Sequence, residues 1–284
     1  PKTFNDLLII SGLSHGTDVW ANNVQDLIKN NVTDLAGAIG CRDDIMAYLI
    51  SIGVDSSVAF KFMEIVRKNK GHKNLGKIEE MCPQLAQGGV PDWYLECCKK
   101  IQYLFPRAHA TAYVINAVRN AWYKLYKPLQ FYAVYFTVRS RKWDIKTMTQ
   151  GLSAVLKKLS EYETAGKVTP LSAADEQIKD TLEVAAEMLD RGFTFKGIDL
   201  YKSEALDFVV DEENKTLYAP FIVVDGIGEK AANTVIKARE EGIFLSKEDI
   251  HDRTSLTEAN IHDLDDLGVL DGLGESNQMS IFEF

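Results

Sequence analysis

Apolar residues recur at helical spacing through the first half of the 284-residue chain. Residues three or four positions apart share one face of a helix, so this spacing predicts amphipathic helices with a buried stripe. Pro128 should end the helix before it, because proline lacks the N–H that a helix interior needs. Residues 71–89, with scattered lysine, glycine and Pro83, are predicted to form a loop. The segments with helical spacing are 24–28, 45–52, 59–66, 93–101, 111–126 and 129–138.

The second half begins helical and then changes its period. Segments 145–162 and 173–191 keep the helical spacing, whereas 206–210 and 216–219 are short runs typical of strands. The polar residues 211–214 between those two runs resemble a hairpin turn. The chain is therefore predicted to be mainly α, with a small β-hairpin element ahead of its last helices.

A glycine turn between a helix-like run and an alanine-rich helix occupies residues 221–239, which is typical of a helix-hairpin-helix motif. The glycines permit a tight turn, and the free N–H groups at the start of the second helix suit a phosphate oxygen. Residues 256–270 resemble a second, degenerate copy with its hairpin at 266–270. An ordinary Asp-Gly turn between two core helices is the alternative. The residues predicted to contact DNA are Gly226, Ile227, Gly228, Glu229, Lys230 and Lys237, with Arg239 also expected on the solvent side.

The net charge of −9 conceals an uneven distribution. Residues 1–142 hold 18 basic and 12 acidic residues, whereas residues 143–284 hold 14 and 29. Residues 99–142 carry nine basic residues and no acidic one. Tracts of one sign attract a polyanion locally, although a solvated helix face is the alternative. A second basic cluster is interrupted only by Glu64 and consists of Lys61, Arg67, Lys68, Lys70, Lys73 and Lys77.

A polar and aromatic stripe begins at His109 inside the acid-free tract and continues through Tyr113 at helical spacing. Rings mixed with cations suit a base and its triphosphate, by stacking and by charge. Neighbouring Arg107 has no acidic partner within the tract. A histidine and a tyrosine that merely pack in a core are the alternative.

The segment Phe-Pro-Arg-Ala-His-Ala-Thr-Ala-Tyr at 105–113 resembles the fingers signature of bacterial C-family replicative DNA polymerases. Residues 9–20 and 40–44 are similar to the PolC branch of that family, and the likeness extends over essentially the whole chain. Arg107 stands where the family commonly has lysine. The resemblance implies nucleotide-pocket roles for Ser11, Ser14, His15, His109 and Tyr113, with Arg42, Arg67, Lys68 and Arg107 as triphosphate or template contacts.

The chain offers no convincing pair of metal-binding carboxylates. Asp43 and Asp44 are more typical of a helix start before Ile45, and no other catalytic or metal-binding residue is predicted. The resemblance implies Mg²⁺ for the whole polymerase, with its ligands in a palm that precedes Pro1. The four cysteines lack Cys-x-x-Cys spacing, so neither zinc nor a disulfide framework is expected. No membrane span or secretion signal is evident, which indicates a cytoplasmic protein.

The last residues resemble a short docking peptide, with Gln278 for backbone hydrogen bonds and apolar side chains for a groove. In the family the matching peptide binds the sliding clamp. The peptide consists of Gln278, Met279, Ser280, Ile281 and Phe282.

The predicted organisation has four parts: helical fingers at 1–145, a helical and β-hairpin extension at 146–218, a tandem helix-hairpin-helix duplex-binding domain at 219–272, and a clamp-binding tail at 273–284. The expected partners are primer-template DNA, dNTP, the sliding clamp and the remaining polymerase domains. One rival interpretation is a non-catalytic, clamp-tethered DNA-binding repair or scaffold protein. A weaker one is a nucleotide-dependent enzyme that acts without DNA.

Overall fold

The structure is a computed structural model that describes residues 1–277 and divides into two compact units. The first unit is Pro1–Ala121, and the second begins at Trp122. The predicted clamp peptide at 278–282 lies outside the described residues. The division between the units falls inside a long helix, and the four-part organisation with boundaries at 145, 218 and 272 stays a prediction.

The fold is mainly α-helical, as the sequence predicts, with a three-stranded sheet in the second unit. The helices of the first unit are α1 (Phe4–His15), α2 (Gln25–Lys29), α3 (Arg42–Ser51), α4 (Ser56–Arg67), α5 (Leu75–Gln87), α6 (Asp92–Lys100) and α7 (Arg107–Tyr126), which continues into the second unit. The second unit holds α8 (Pro128–Val134), α9 (Ile145–Thr149), α10 (Leu152–Val168), α11 (Ala173–Asp190), β1 (Thr194–Lys196), β2 (Val209–Asp211), β3 (Thr216–Tyr218), α12 (Glu229–Glu241), α13 (Lys247–Arg253) and α14 (Glu258–Asp266).

The core of the first unit lies where α3 packs on α4, around Ile45, Leu49, Phe62 and Val66, all with no exposed surface. Helix α4 begins where it does because the Asp55 carboxylate accepts hydrogen bonds from two backbone N–H groups of its first turn. This packing fixes the polar side chains at the ends of both helices.

The second unit is built on α10 and α11 together with the small sheet, whose strand order is β1-β3-β2. Strand β2 pairs antiparallel with β3, which confirms the predicted hairpin, and β1 joins β3 in parallel. Phe136, Leu217, Phe221 and Val235 are buried in one continuous core that reaches from α8 to α12.

Three local predictions were wrong. Helix α5 occupies most of the predicted loop, because burial of Ile78 and Leu85 outweighs the poor helix propensity of its glycine and proline. The predicted helix at 145–162 breaks at Gly151, where φ is +92°, into α9 and α10. The run at 221–224 forms only a short 3₁₀ turn, Phe221–Val223, after Pro220.

Candidate nucleic-acid interface

A row of rings in the first unit unites residues that the sequence predicted separately. His15 ends α1 and meets the Phe105 ring edge-on at 5.5 Å between centroids. Phe105 stacks on His109 at 5.0 Å, and His109 meets Tyr113 at 4.7 Å. His15, His109 and Tyr113 are exposed, so the row presents ring surface to a ligand.

Phe105 joins this row, although the sequence analysis did not select it as a site residue. It precedes α7 and is half-buried between the two histidine rings. The signal for it was present, because Phe105 opens the signature at 105–113. Phe105 was missed because its contact with His15 joins residues that lie 90 positions apart in the chain.

Ser11 and Ser14 lie on the same end of α1 as His15. The His15 Nδ1 atom is 2.9 Å from the Ser11 carbonyl oxygen and 2.9 Å from the Ser14 hydroxyl oxygen, so both serines restrain the imidazole. Helix α1 approaches the segment before α3 closely, since a Cβ at Gly12 would lie 2.1 Å from the Gly40 carbonyl oxygen. Five predicted nucleotide-pocket residues therefore share one region of the first unit.

An open cavity of about 420 Å³ adjoins this row between α1 and α7. Apolar side chains form much of its wall, together with Ser11, His15 and Tyr113. A flat, largely apolar surface edged by a few polar groups is suited to a nucleobase. The apolar wall residues are Leu7, Ile10, Val114, Ala117, Val118 and Ala121.

Arg107 begins α7 and is held by acceptors outside its own tract. Its backbone N–H donates to the Asp43 carboxylate at 2.7 Å, and its guanidinium donates to the side-chain oxygen of Asn5 and lies 3.6 Å from Asp44. The sequence showed no acidic partner because both carboxylates come from α3. Asp43 and Asp44 thus serve helix starts, as predicted.

Asp44 contacts both the segment before α3 and the Arg107 side chain at the start of α7. Its Oδ2 atom accepts hydrogen bonds from the N–H groups of Gly40 at 3.0 Å and Cys41 at 2.6 Å. Burial is the largest influence on its pKa and raises it, against the opposing effect of those N–H groups and of Arg107. The thiol of Cys41 is also buried, and that burial raises its pKa to about 12.

The remaining three predicted cations gather on Glu64. Arg67 binds the carboxylate with two nitrogen atoms, the Lys68 Nζ atom lies 2.8 Å away, and Arg42 lies 3.9 Å away. Hydrogen bonds from Arg67 and Lys68 lower the pKa of Glu64 to about 2. Arg42 also lies 3.8 Å from Asp43, so one ion network joins Arg42, Arg67 and Lys68, whereas the Arg107 guanidinium pairs separately with Asp44.

The glycine turn in the second unit has the predicted form. Gly226 adopts φ +89°, the Ile227 N–H donates to the Val224 carbonyl oxygen at 3.1 Å, and Ile227 is buried. Helix α12 begins after Gly228, and its N-terminal residues Glu229 and Lys230 are exposed. No side chain of residues 1–277 caps the start of α12, so the N–H groups of its first turn remain available to an anion.

The predicted position of Arg239 was wrong. Arg239 is not on the solvent side: it donates to the carbonyl oxygens of Leu200 and Ser203 and pairs with Glu204 at 3.0 Å. Its backbone acceptors lie more than 30 positions away, so helical spacing could not reveal them. Lys237 is exposed, as predicted.

The second copy of the motif also differs from the prediction. Helix α14 ends at Asp266, residues 267–270 form the turn after it with Gly268 at φ +73°, and no helix follows within the chain as described to residue 277. The second helix pair is instead α13 and α14, joined by residues 254–257. Asn260 of α14 lies against the first hairpin, since a Cβ at Gly226 would be 3.1 Å from its Nδ2 atom.

Known protein families match one region in each unit of the chain. Residues 1–88 match the finger domain of the bacterial DNA polymerase III alpha subunit, and residues 192–279 match a helix-hairpin-helix motif family. The protein named DNA polymerase III PolC-type from Oceanobacillus iheyensis is 49% identical over 99% of this chain and 19% of its own length. Namesakes from Streptococcus sanguinis and Lactococcus lactis are 46% and 45% identical over the whole chain, which covers 19% and 17% of them.

The chain is a homologue of part of PolC-type DNA polymerase III.

The chain spans about a fifth of the length of these PolC-type relatives. The finger-domain match contains α1, α3 and α4, which carry Ser11, His15, Arg42 and Glu64. The second match contains the Gly226 hairpin and α12 to α14. The resemblance inferred from the sequence motifs is confirmed, whereas the roles of individual site residues stay predictions.

The described residues form neither a metal centre nor a disulfide. Within residues 1–277, no group of three or more histidine, cysteine, aspartate or glutamate side chains is arranged to hold a metal ion. All four cysteines are free thiols. None of the helices described is both long enough and apolar enough to cross a bilayer.

Proposed function

We propose that this chain is the nucleotide-binding and duplex-binding part of a replicative DNA-directed DNA polymerase. The observation that carries the proposal is the exposed row His15, Phe105, His109 and Tyr113, which borders an apolar cavity in a chain homologous to PolC-type polymerases. The incoming dNTP places its base against this row. Arg107, Arg42, Arg67 and Lys68 supply positive charge for its triphosphate or for the template.

Duplex binding belongs to the second unit in this proposal. The Gly226 hairpin and the first turn of α12 offer N–H groups to a phosphate oxygen of primer-template DNA without reading a base. Lys230 and Lys237 add positive charge on the exposed side of α12. The wider enzyme works in the cytoplasm, together with the remaining polymerase domains.

Mg²⁺ is the divalent ion that we propose for the chemistry, and residues 1–277 of this chain do not fit it. Asp43 and Asp44 are already bound to backbone N–H groups that begin α7 and α3, and no three-ligand cluster exists within residues 1–277. The ligands therefore belong elsewhere in the polymerase. This chain supplies binding and orientation.

Replacing both His109 and Tyr113 with alanine should raise the KM for incoming nucleotide about tenfold or more, because a lost ring removes stacking worth about 1–3 kcal/mol. Duplex affinity should stay unchanged. Steady-state incorporation in a polymerase that carries this segment gives the KM, and a gel shift gives duplex affinity. Tyr123→Ala is the matched control, since Tyr123 is an equally exposed ring on α7 outside the row.

Unchanged incorporation in the double variant would remove the nucleotide role from the ring row. That result, with DNA binding intact, would favour the non-catalytic adaptor. Tyr113→Phe keeps the ring and should retain most of the affinity, which separates stacking from hydrogen bonding by the hydroxyl.

We also propose that residues 278–282 bind the sliding clamp, on the basis of their sequence. Phe282→Ala should weaken clamp affinity by about tenfold or more, because a buried aromatic anchor dominates peptide docking. Titration of the clamp with the chain measures this, and Phe284→Ala is the control outside the peptide. Equal affinity of the Phe282→Ala variant and the unmodified chain would exclude the clamp role.

A further inference from the structure

We propose that the groove between α4 and α5 binds the unpaired template strand, with Phe60 as a stacking platform and Lys61, Lys68 and Lys77 as phosphate contacts. The groove belongs to the first unit and has a volume of about 770 Å³. This is the size of a pocket for one or two nucleotides rather than for a duplex. The inference rests on the proposed polymerase function and adds to it a binding site for the unpaired part of the template strand.

The groove ends at a basic turn that is rigidly built. Asn69 is fully buried, donates to the Ile101 carbonyl oxygen at 3.1 Å and accepts from the Asn74 N–H at 2.9 Å. Asn74 in turn donates to the Lys68 carbonyl oxygen at 2.9 Å. Gly71, at φ +65°, donates to the Gln102 side chain at 2.7 Å.

These hydrogen bonds fix the backbone that carries the lysines of the turn before any ligand binds. Lys70 and Lys73 project from it, and Lys61 and Lys77 flank it on α4 and α5. Within the described residues, none of these four lysines forms an ion pair with a carboxylate. A fixed backbone lowers the entropy lost on binding, so the arrangement suits a polyanionic strand.

Two carboxylates oppose this charge. Glu64 lies in the groove but is occupied by Arg67 and Lys68, and Glu80 lies on the α5 side. The lining of the groove holds three lysines, Lys61, Lys68 and Lys77, against these two carboxylates, and the adjoining turn adds Lys70 and Lys73. The local balance therefore favours an anion even though the chain as a whole is acidic.

An exposed ring selects a single strand over a duplex. The Phe60 side chain is 52% exposed at the edge of the groove, next to Lys61. Base faces are available for stacking only where the strand is unpaired, and aromatic rings interleaved with cations are the usual platform for such strands. A purely electrostatic surface would need no phenyl ring there.

A chain of polar contacts links the groove to the predicted nucleotide site. Lys68 lines the groove and binds Glu64, which also binds Arg67 and lies 3.9 Å from Arg42. Arg42 in turn lies 3.8 Å from Asp43 of α3, which accepts the backbone N–H of Arg107 at the start of α7. A template strand along the groove would thus reach the region where the incoming nucleotide pairs with it.

The test compares a primer-template that has a 5′ overhang with a blunt duplex of the same base pairs, both binding the 284-residue chain, by fluorescence anisotropy. Phe60→Leu should weaken binding of the overhang substrate about 5- to 100-fold, whereas Phe60→Trp should keep it. Lys61→Gln/Lys77→Gln should lower the salt slope for the overhang by about 1.4, at about 0.7 per cation. The affinity for the blunt duplex should be unchanged in all three variants.

The matched control is Lys2→Gln/Lys29→Gln, which removes the same charge from exposed positions of the first unit that do not line the groove. An equal loss in that control, or equal losses for overhang and blunt duplex, would overturn the proposal. Full affinity in Phe60→Leu would also overturn it and would instead indicate an apolar protein contact. If the unmodified chain bound neither DNA, the polymerase proposal itself would fail, which separates the two.

Discussion

Replacing Gly226 with valine should reduce duplex affinity at least tenfold and destabilise the second unit. Gly226 has φ +89°, a conformation that costs a β-branched residue about 1–3 kcal/mol. An added Cβ would also lie 3.1 Å from the Nδ2 atom of buried Asn260, so that side chain would have to shift. Gel shifts measure duplex affinity, and thermal unfolding measures stability.

Gly197→Val is the matched control, because Gly197 lies in the same unit with open space around its Cβ position. It should bind duplex as the unmodified chain does. Since the hairpin offers N–H groups rather than cations, Gly226→Val should lower affinity without changing the salt slope. Unaltered affinity in Gly226→Val would show that the hairpin does not contact DNA.

Replacing Asp44 with alanine should destabilise the first unit by about 2–4 kcal/mol. The change leaves the N–H groups of Gly40 and Cys41 without their acceptor and removes the carboxylate beside Arg107. Urea unfolding at neutral pH measures this loss. Asp44→Asn is the control, since its side-chain oxygen can still accept both hydrogen bonds.

The pH dependence gives a second signature of Asp44. A carboxyl whose folded pKa is raised above 3.8 stabilises the folded state most when it is protonated. Its contribution to the free energy of unfolding therefore falls as pH rises from below 3.8 through the raised folded value. This component should vanish in Asp44→Asn. An Asp44→Ala variant as stable as the unmodified chain would contradict the role of this residue.

The sequence predicted the features that depend on local periodicity. Helices α3, α4, α6 and α7 follow from apolar spacing, and the capping role of Asp44 follows from its place before Ile45. Helix α5 was missed because Gly76 and Pro83 favour a loop, although Ile78 and Leu85, seven positions apart, lie on its buried face.

The ion network at the candidate site was predicted only in part. The sequence revealed the charge of Arg42 and Arg107 but not their partners, since Glu64 and Asp44 reach these two arginines through tertiary packing. The Glu64–Arg67 pair, by contrast, is a contact between residues three positions apart on α4, which helical spacing does reveal. The family signature located His109 and Tyr113, whereas the stacking of Phe105 between two histidine rings needed the fold.

The most direct test of the account is the affinity of the 284-residue chain for primer-template DNA as the salt concentration is raised from about 50 to 200 mM. If localised cations bind the phosphate backbone, log K should fall linearly with log salt, with a slope of about 0.9 for each phosphate contacted. Binding that does not respond to salt, or no binding at low salt, would contradict the claim that this acidic chain grips DNA through its basic surfaces.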